Sequence, residues 1–132
     1  CVQAWRYFRR KELAVIRKIS KLKDVIVDCG GGIVVDLDSR GVERFSLRKA
    51  RLLRKNSVVV WLKSDIDRLV KKTASDTRRP NLSSEHGLRE ILRRRNPFYA
   101  KAAHVKISAH EHGAKTLADR ILKRIRRKIK YA

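Results

Sequence analysis

The sequence predicts an α/β fold with three layers (α/β/α) built around a parallel sheet. Short apolar runs rich in β-branched residues alternate with amphipathic helical patterns, as strands joined by helical crossovers require. Each run has the length of a buried strand. The runs are VIVDC at 25–29, SVVVWLK at 57–63 and a third run near 104–109.

The first half of the chain contains two predicted helices around the first strand. Apolar residues recur every three to four positions over 3–21, which predicts an amphipathic helix. After strand 25–29 and its glycines, the polar stretch 36–41 predicts a loop, and a second helical pattern runs from about 43 to 54. The apolar strand 57–63 is expected to be buried on both faces.

The second half begins with a short helix, capped by Ser64 or Asp65 and ending near Thr73. The stretch 73–87 has no apolar period and is rich in turn formers and cations, which predicts a mobile functional loop. The remaining predicted elements are helices over 87–95 and 97–103 joined at Pro97, the strand near 104–109, and an amphipathic helix from about Leu117 to 130.

Composition indicates one domain and an anionic partner. The chain has 132 residues and a formal net charge of +22, which raises the local concentration of anions. Nucleic acid, an anionic membrane face and small phosphorylated or carboxylated metabolites all fit this charge. Two cysteines, Cys1 and Cys29, are too few for a disulfide framework, and no apolar run is long enough to span a membrane. We therefore expect a reduced, cytoplasmic setting.

Three consecutive glycines, Gly30, Gly31 and Gly32, follow the first predicted strand. Ligands of parallel sheets lie beyond the carboxyl ends of the strands, and glycine amides can approach a ligand oxygen without a Cβ atom between them. A tight exit from the strand without any ligand explains the three glycines equally well.

A second candidate feature is FRRKE at 8–12 in the first helix. Phe8 can wall a pocket while the guanidinium of Arg9 points into it, and a carboxylate suits that fork of donors. Glu12 lies one turn later and can hold Arg9 in place. The alternative for FRRKE is an ordinary charged helix face. Arg79, which precedes Pro80 in the polar loop, is likewise either a surface cation or a phosphate-binding residue.

In order and at family spacing, the motifs resemble those of the shikimate kinase family. They are WRYFRRKE, VIVDCGGGIV, VVVWL, RRPNL and RRRNPFYAKAAHVKI, and they extend from Trp5 to about Leu122. The resemblance implies a P-loop kinase-like fold in one domain over 1–132, with 73–87 as its lid. It also implies transfer of the γ-phosphoryl group of ATP to the 3-hydroxyl of shikimate, with Mg²⁺, in chorismate and aromatic amino acid biosynthesis.

The family's functional roles map onto matching positions of this chain. The resemblance implies that Arg9 and Arg95 grip the carboxylate of shikimate while the backbone of 30–32 closes over its ring. It implies that Arg79 on the lid is the catalytic arginine, while Phe8 and Glu12 support Arg9 as their spacing on the helix indicates. The implied nucleotide-binding residues are Lys72, Arg79 and His112.

The chain departs from the family in lacking a P-loop. No GxxxxGK[ST] motif occurs in the 132 residues, and the family's DxD segment after the P-loop helix is also missing. We therefore expect an N-terminally incomplete shikimate kinase without its first strand, which is inactive alone and a monomer when complete. The resemblance implies that the P-loop strand lies between the strands at 25–29 and 57–63, so its loss would leave two edges to be covered.

Two other functions remain open at this point. A small basic nucleic-acid-binding protein fits the charge, although no zinc, helix-turn-helix or RNP-like signature occurs. An inactive shikimate-binding module fits the missing P-loop. His110 and His112 lack a third metal ligand at suitable spacing, so no metal site is predicted. Cys29 is expected to be a small buried residue.

Overall fold

The computed structural model describes residues 2–74, 85–109 and 113–130. The chain divides into two compact units, Cys1–Val59 and Val60–Ala132, each with its own packed elements. The elements in chain order are α1 (Val2–Ile19), β1 (Val35–Leu37), β2 (Glu43–Phe45), α2 (Leu47–Arg54), β3 (Val60–Lys63), α3 (Ile66–Ala74), α4 (Glu85–Ala102), β4 (Val105–Ser108) and α5 (Ala114–Lys130).

The first unit packs α1 against a β-hairpin and α2. Strands β1 and β2 are antiparallel, with Val35 opposite Phe45. Ser46 follows β2 and is the N-cap of α2, because its hydroxyl accepts the backbone N–H of Lys49. The apolar core of this unit consists of Ile16, Val34, Val35 and Ala50, each at most 2% exposed.

The described residues of the second unit form a parallel strand pair and three helices. β3 pairs with β4 in the parallel sense, with Val60 opposite Val105. Val105 and Ile107 of β4 are buried, whereas Lys106 between them is exposed, as alternation along a strand requires. α3 packs on α4, and α5 contacts β4. The predicted α/β class with parallel pairing is therefore confirmed.

The predicted strand at 25–29 is wrong. Residues 25–30 have no regular secondary structure, and the side chains of Val25, Ile26 and Val27 are 52%, 100% and 44% exposed. β-Branched residues favour a strand only when a neighbouring strand supplies hydrogen bonds and packing. No strand in the described part of the chain pairs with this run.

The boundaries of other elements also differ from the predictions. Residues 43–45 form β2, so α2 starts only at Leu47, after the Ser46 cap. Pro97 does not divide two helices but lies inside the continuous α4, although its missing N–H removes one hydrogen bond of the helix. β3 is not buried on both faces, because the side chain of Leu62 is 48% exposed.

The predicted lid is bounded by helices. α3 continues to Ala74 and α4 begins at Glu85, so both helices extend into the predicted loop 73–87. Residues 75–84, including Arg79, lie outside the described residues. None of the helices that the structure describes is long and apolar enough to cross a membrane.

The hairpin turn depends on Gly41. Its φ of +82° is a left-handed conformation, and a Cβ placed there would lie 2.9 Å from Cγ1 of Val2. Gly41→Ala should lower the free energy of unfolding by about 1–3 kcal/mol, measured by urea denaturation. Gly113→Ala is the matched control, because an added Cβ meets nothing within 4 Å there. Equal effects of the two substitutions would contradict this role of Gly41.

Asp38 gives the same turn a pH dependence. Its carboxylate accepts the backbone N–H groups of Val42 and Arg40 at 2.9 Å and pairs with Arg44 at 3.2 Å. The hydrogen bond from Val42, followed by those from Arg40 and Arg44, lowers the pKa of Asp38. A lowered pKa stabilises the fold above the ordinary carboxyl pKa, and this stabilisation is lost as the pH falls through the folded-state value.

Wild-type protein should therefore lose more stability than Asp38→Asn when the pH is lowered from about 6 to about 3. Urea denaturation at each pH measures the loss. Asp119→Asn, in the exposed part of α5, serves as the control. The same acid dependence in wild type and Asp38→Asn would show that the Asp38 hydrogen bonds contribute nothing.

Candidate functional site

The candidate site is centred on Arg9, a buried arginine of α1. Its side chain is 6% exposed, and Nη1 donates to Oε1 and Oε2 of Glu12 at 3.1 and 3.0 Å. Residues three apart on a helix lie on the same face, so the spacing in FRRKE brings the two side chains together. Glu12 is only 12% exposed. The pair is therefore shielded from water.

Gly32 lies directly against the guanidinium of Arg9. Nη1 of Arg9 donates to the carbonyl oxygen of Gly32 at 2.9 Å. A Cβ at position 32 would lie 2.7 Å from Nη1 and 2.9 Å from Nη2 of Arg9, whereas one at Gly30 would meet nothing within 4 Å. Position 32 therefore requires glycine because the guanidinium of Arg9 occupies the space that a Cβ would fill.

Two aromatic rings of α1 flank the guanidinium. Cζ of Arg9 lies 5.6 Å from the ring centroid of Trp5 and 5.4 Å from that of Phe8, within the range of cation–π attraction. The two rings are in edge-to-face contact, with centroids 5.8 Å apart, and each side chain is about half exposed. They form an apolar wall beside the charged group.

Lys49 of α2 completes the cluster and is completely buried. Its Nζ donates to Oε2 of Glu12 at 2.8 Å and to the carbonyl oxygen of Val35 at 2.6 Å, and it lies 3.1 Å from Oδ1 of Asp36. Sequence reasoning missed Lys49 and Asp36. A lysine in a helix normally indicates a solvated surface, so no local signal distinguishes this one.

Within the described residues, one of the three guanidinium nitrogens of Arg9 makes all of its hydrogen bonds. Nη1 makes all three bonds to Glu12 and Gly32, whereas the buried Nε has no partner among the residues described. An unpaired buried donor is costly, and a carboxylate binds an arginine edge with two parallel hydrogen bonds. The arrangement is therefore suited to recognising an acid.

The remaining predicted site residues are divided between the two units and the residues that the structure does not describe. Gly30 and Gly31 are exposed in the irregular segment before Gly32. Arg95 is partly buried in α4 and Lys72 is exposed in α3, and both belong to the second unit. The nucleotide-site candidates Arg79 and His112 lie outside the described residues.

Cys29 is exposed, contrary to the expectation of a buried residue. Partial desolvation, followed by the negative charges of Asp28 and Glu12, raises the pKa of its thiol. A raised pKa keeps the thiol protonated at neutral pH, which disfavours a role as nucleophile.

Metal-binding clusters and grooves are the other features of the described ranges that could form a site. No three His, Cys, Asp or Glu side chains within them are placed to hold a metal ion. A shallow groove follows α5 and contains none of the predicted site residues. Its lining residues are Asp119, Leu122, Lys123, Arg126, Arg127, Ile129 and Lys130.

The fold and site together define an α/β protein whose first unit contains a buried arginine with an unpaired Nε. The family model described as shikimate kinase matches residues 2–126. The chain belongs to the shikimate kinase family, and it shares the family's P-loop kinase fold. A shikimate kinase from Acinetobacter baumannii, solved in complex with shikimate, superimposes with a TM-score of 0.73 and 27% identity. That match covers 92% of this chain and 64% of that one.

Shikimate kinases of two Leptospira species are similar in sequence. The protein of L. biflexa serovar Patoc is 41% identical over 118 residues, which cover 89% of this chain and 65% of that protein. The protein of L. borgpetersenii serovar Hardjo-bovis is 35% identical over 121 residues, covering 92% of this chain and 68% of that protein. The chain thus spans about two thirds of the length of these relatives.

Removal of the Glu12 charge tests how strongly the fold depends on the cluster. Glu12→Gln leaves the buried Arg9 and Lys49 without their shared counter-ion, so it should destabilise the protein by about 3 kcal/mol in urea denaturation. Glu90→Gln is the matched control. Its ion pair with Arg94 on α4 is exposed, so that change should stay within about 0.5 kcal/mol. A similarly small effect of Glu12→Gln would refute the dependence.

Proposed function

We propose that this chain binds shikimate through Arg9 and provides the acid-recognising part of a shikimate kinase. The observation that carries the proposal is the buried Nε of Arg9, which lacks a partner while Nη1 is held by Glu12 and Gly32. Family membership supports shikimate as the acid, and the Acinetobacter baumannii relative was solved with shikimate bound.

The carboxylate of shikimate would bind along the Nε and Nη2 edge of Arg9. A bidentate contact there supplies the missing acceptor for Nε and fixes the orientation of the substrate. Trp5 and Phe8 beside the guanidinium give the carbon ring of the substrate an apolar surface. The roles of Gly30 and Gly31 at the ring and of Arg95 as a second carboxylate ligand remain predictions from the family resemblance.

The proposed reaction of the whole enzyme is transfer of the γ-phosphoryl group of ATP to the 3-hydroxyl of shikimate. Such transfer depends mostly on positioning and on stabilising charge on the phosphoryl oxygens. The resemblance gives this stabilising role to Arg79 and places Lys72 and His112 near the nucleotide. From the family resemblance we also propose that the whole enzyme is cytoplasmic and monomeric.

The residues present do not fit a complete site for ATP and Mg²⁺. The GxxxxGK[ST] motif that holds the phosphates and the metal does not occur in the sequence. The part of the chain that the structure describes also holds no metal-binding cluster of acidic, histidine or cysteine side chains. We therefore propose that these 132 residues bind the acid without turning over ATP by themselves.

Calorimetry with shikimate and with its uncharged carboxamide tests the binding proposal. Wild type should prefer shikimate, because the amide has no charge to pair with Arg9. Gly32→Ala displaces the guanidinium and should weaken shikimate binding by roughly tenfold or more, equivalent to at least about 1.4 kcal/mol. Gly113→Ala, in the second unit, adds a Cβ that also meets nothing within 4 Å, and this variant should bind shikimate as wild type does. Equal affinity for both ligands would refute the proposal.

An ATP-turnover assay separates a kinase part from an inactive binding module, the alternative favoured by the missing P-loop. The chain alone should show no turnover with shikimate. Addition of the part of the Leptospira biflexa relative that this chain does not match should restore turnover if the chain is a kinase part. Binding of shikimate without any restored ATP turnover would favour the inactive binding module. ATP turnover by the chain alone would refute the proposal that it only binds the acid.

A further inference from the structure

Lys49 is a buried charge to which the proposed function assigns no role. Its ammonium group has three N–H donors and three acceptors around it. The carboxylate of Glu12 lies at 2.8 Å, the carbonyl oxygen of Val35 at 2.6 Å and the carboxylate of Asp36 at 3.1 Å. The side chain is 0% exposed, so the charge is kept inside the protein by this one arrangement of partners.

The three acceptors come from different parts of the first unit. Glu12 belongs to α1, whereas Val35 and Asp36 belong to β1. Asp36 is itself fixed, because its Oδ2 accepts the hydroxyl of Ser46 at 2.7 Å. Lys49 therefore joins the helix that carries Arg9 to the hairpin that follows the glycines.

We propose that Lys49 is a positioning residue that prepares Arg9 to bind an anion, which rests on the proposed function above. Oε2 of Glu12 accepts from both Nη1 of Arg9 and Nζ of Lys49. The fixed carboxylate in turn fixes Nη1 of Arg9. The free Nε edge of Arg9 then points in one direction before any ligand arrives.

The second contribution of Lys49 is its charge. The side chains of Arg9, Glu12 and Lys49 are 6%, 12% and 0% exposed, and their formal charges sum to +1. Asp36, 43% exposed and 3.1 Å from Nζ, is the second counter-ion of Lys49. Without Lys49, the carboxylate of Glu12 would pair with Arg9 alone. Because Lys49 shares Glu12 with Arg9, the guanidinium keeps more of its attraction for an incoming carboxylate than an exclusive pair with Glu12 would leave.

The test compares shikimate with its uncharged carboxamide by calorimetry on the full chain. Lys49→Met is one atom shorter, keeps most of the apolar stem and removes the charge, so it should weaken shikimate binding by roughly tenfold while changing carboxamide binding less than about twofold. Lys49→Arg should restore most of the preference. Lys55→Met, at the exposed end of α2, should bind both ligands as wild type does.

Equal weakening of both ligands by Lys49→Met would overturn the proposal, because a purely structural role does not distinguish an acid from an amide. If Lys49→Met fails to fold, Lys49→Gln removes the charge while keeping a donor for Glu12 and Val35. The same loss of preference for the acid is expected of that variant.

An NMR measurement without ligand separates this proposal from the proposed function. Hydrogen exchange of the ¹⁵N-labelled Nε–H of Arg9 reports how firmly the guanidinium is held. Exchange should be faster in Lys49→Met and Lys49→Gln than in wild type or Lys49→Arg. If wild type binds neither ligand, the proposed function fails while this measurement still tests the positioning. Unchanged exchange in the charge-removing variants would overturn the role of Lys49.

Discussion

The first unit depends on a buried run of alternating charges formed by Arg9, Glu12 and Lys49. Each of these charges would be costly inside the protein alone, so the three must be buried together. Their partners lie on α1, β1, α2 and the glycine segment, and the same contacts therefore fix how these elements meet. An interaction that stabilises the fold thus also builds the proposed acid-binding site.

The charge cluster explains why position 32 is a glycine. At Gly32 the backbone has to admit the guanidinium of Arg9 within the space that a Cβ would fill. The resulting contact uses Nη1 and leaves Nε without an acceptor in the described structure. The orientation of the Arg9 guanidinium is thereby fixed by the main chain, as the proposed carboxylate site requires.

Sequence reasoning predicted the parts whose signals are local. Helical periodicity indicated α1 and α5, and the spacing of Arg9 and Glu12 indicated their contact. The β1–β2 hairpin was missed because its turn formers resemble a loop. The strand at 25–29 was wrong because a strand needs a partner that no local pattern supplies. The burial of Lys49 likewise depends on acceptors distant in sequence.

The exposed apolar run at 25–27 has a consequence for handling the protein at high concentration. An extended segment that has no strand partner and carries exposed β-branched side chains can pair with the same segment of another copy. The net charge of +22 opposes this association, because the copies repel one another. Added salt shortens the range of this repulsion while leaving the apolar attraction in place. Dilute buffer therefore favours dispersed molecules, and concentrated salt favours their aggregation.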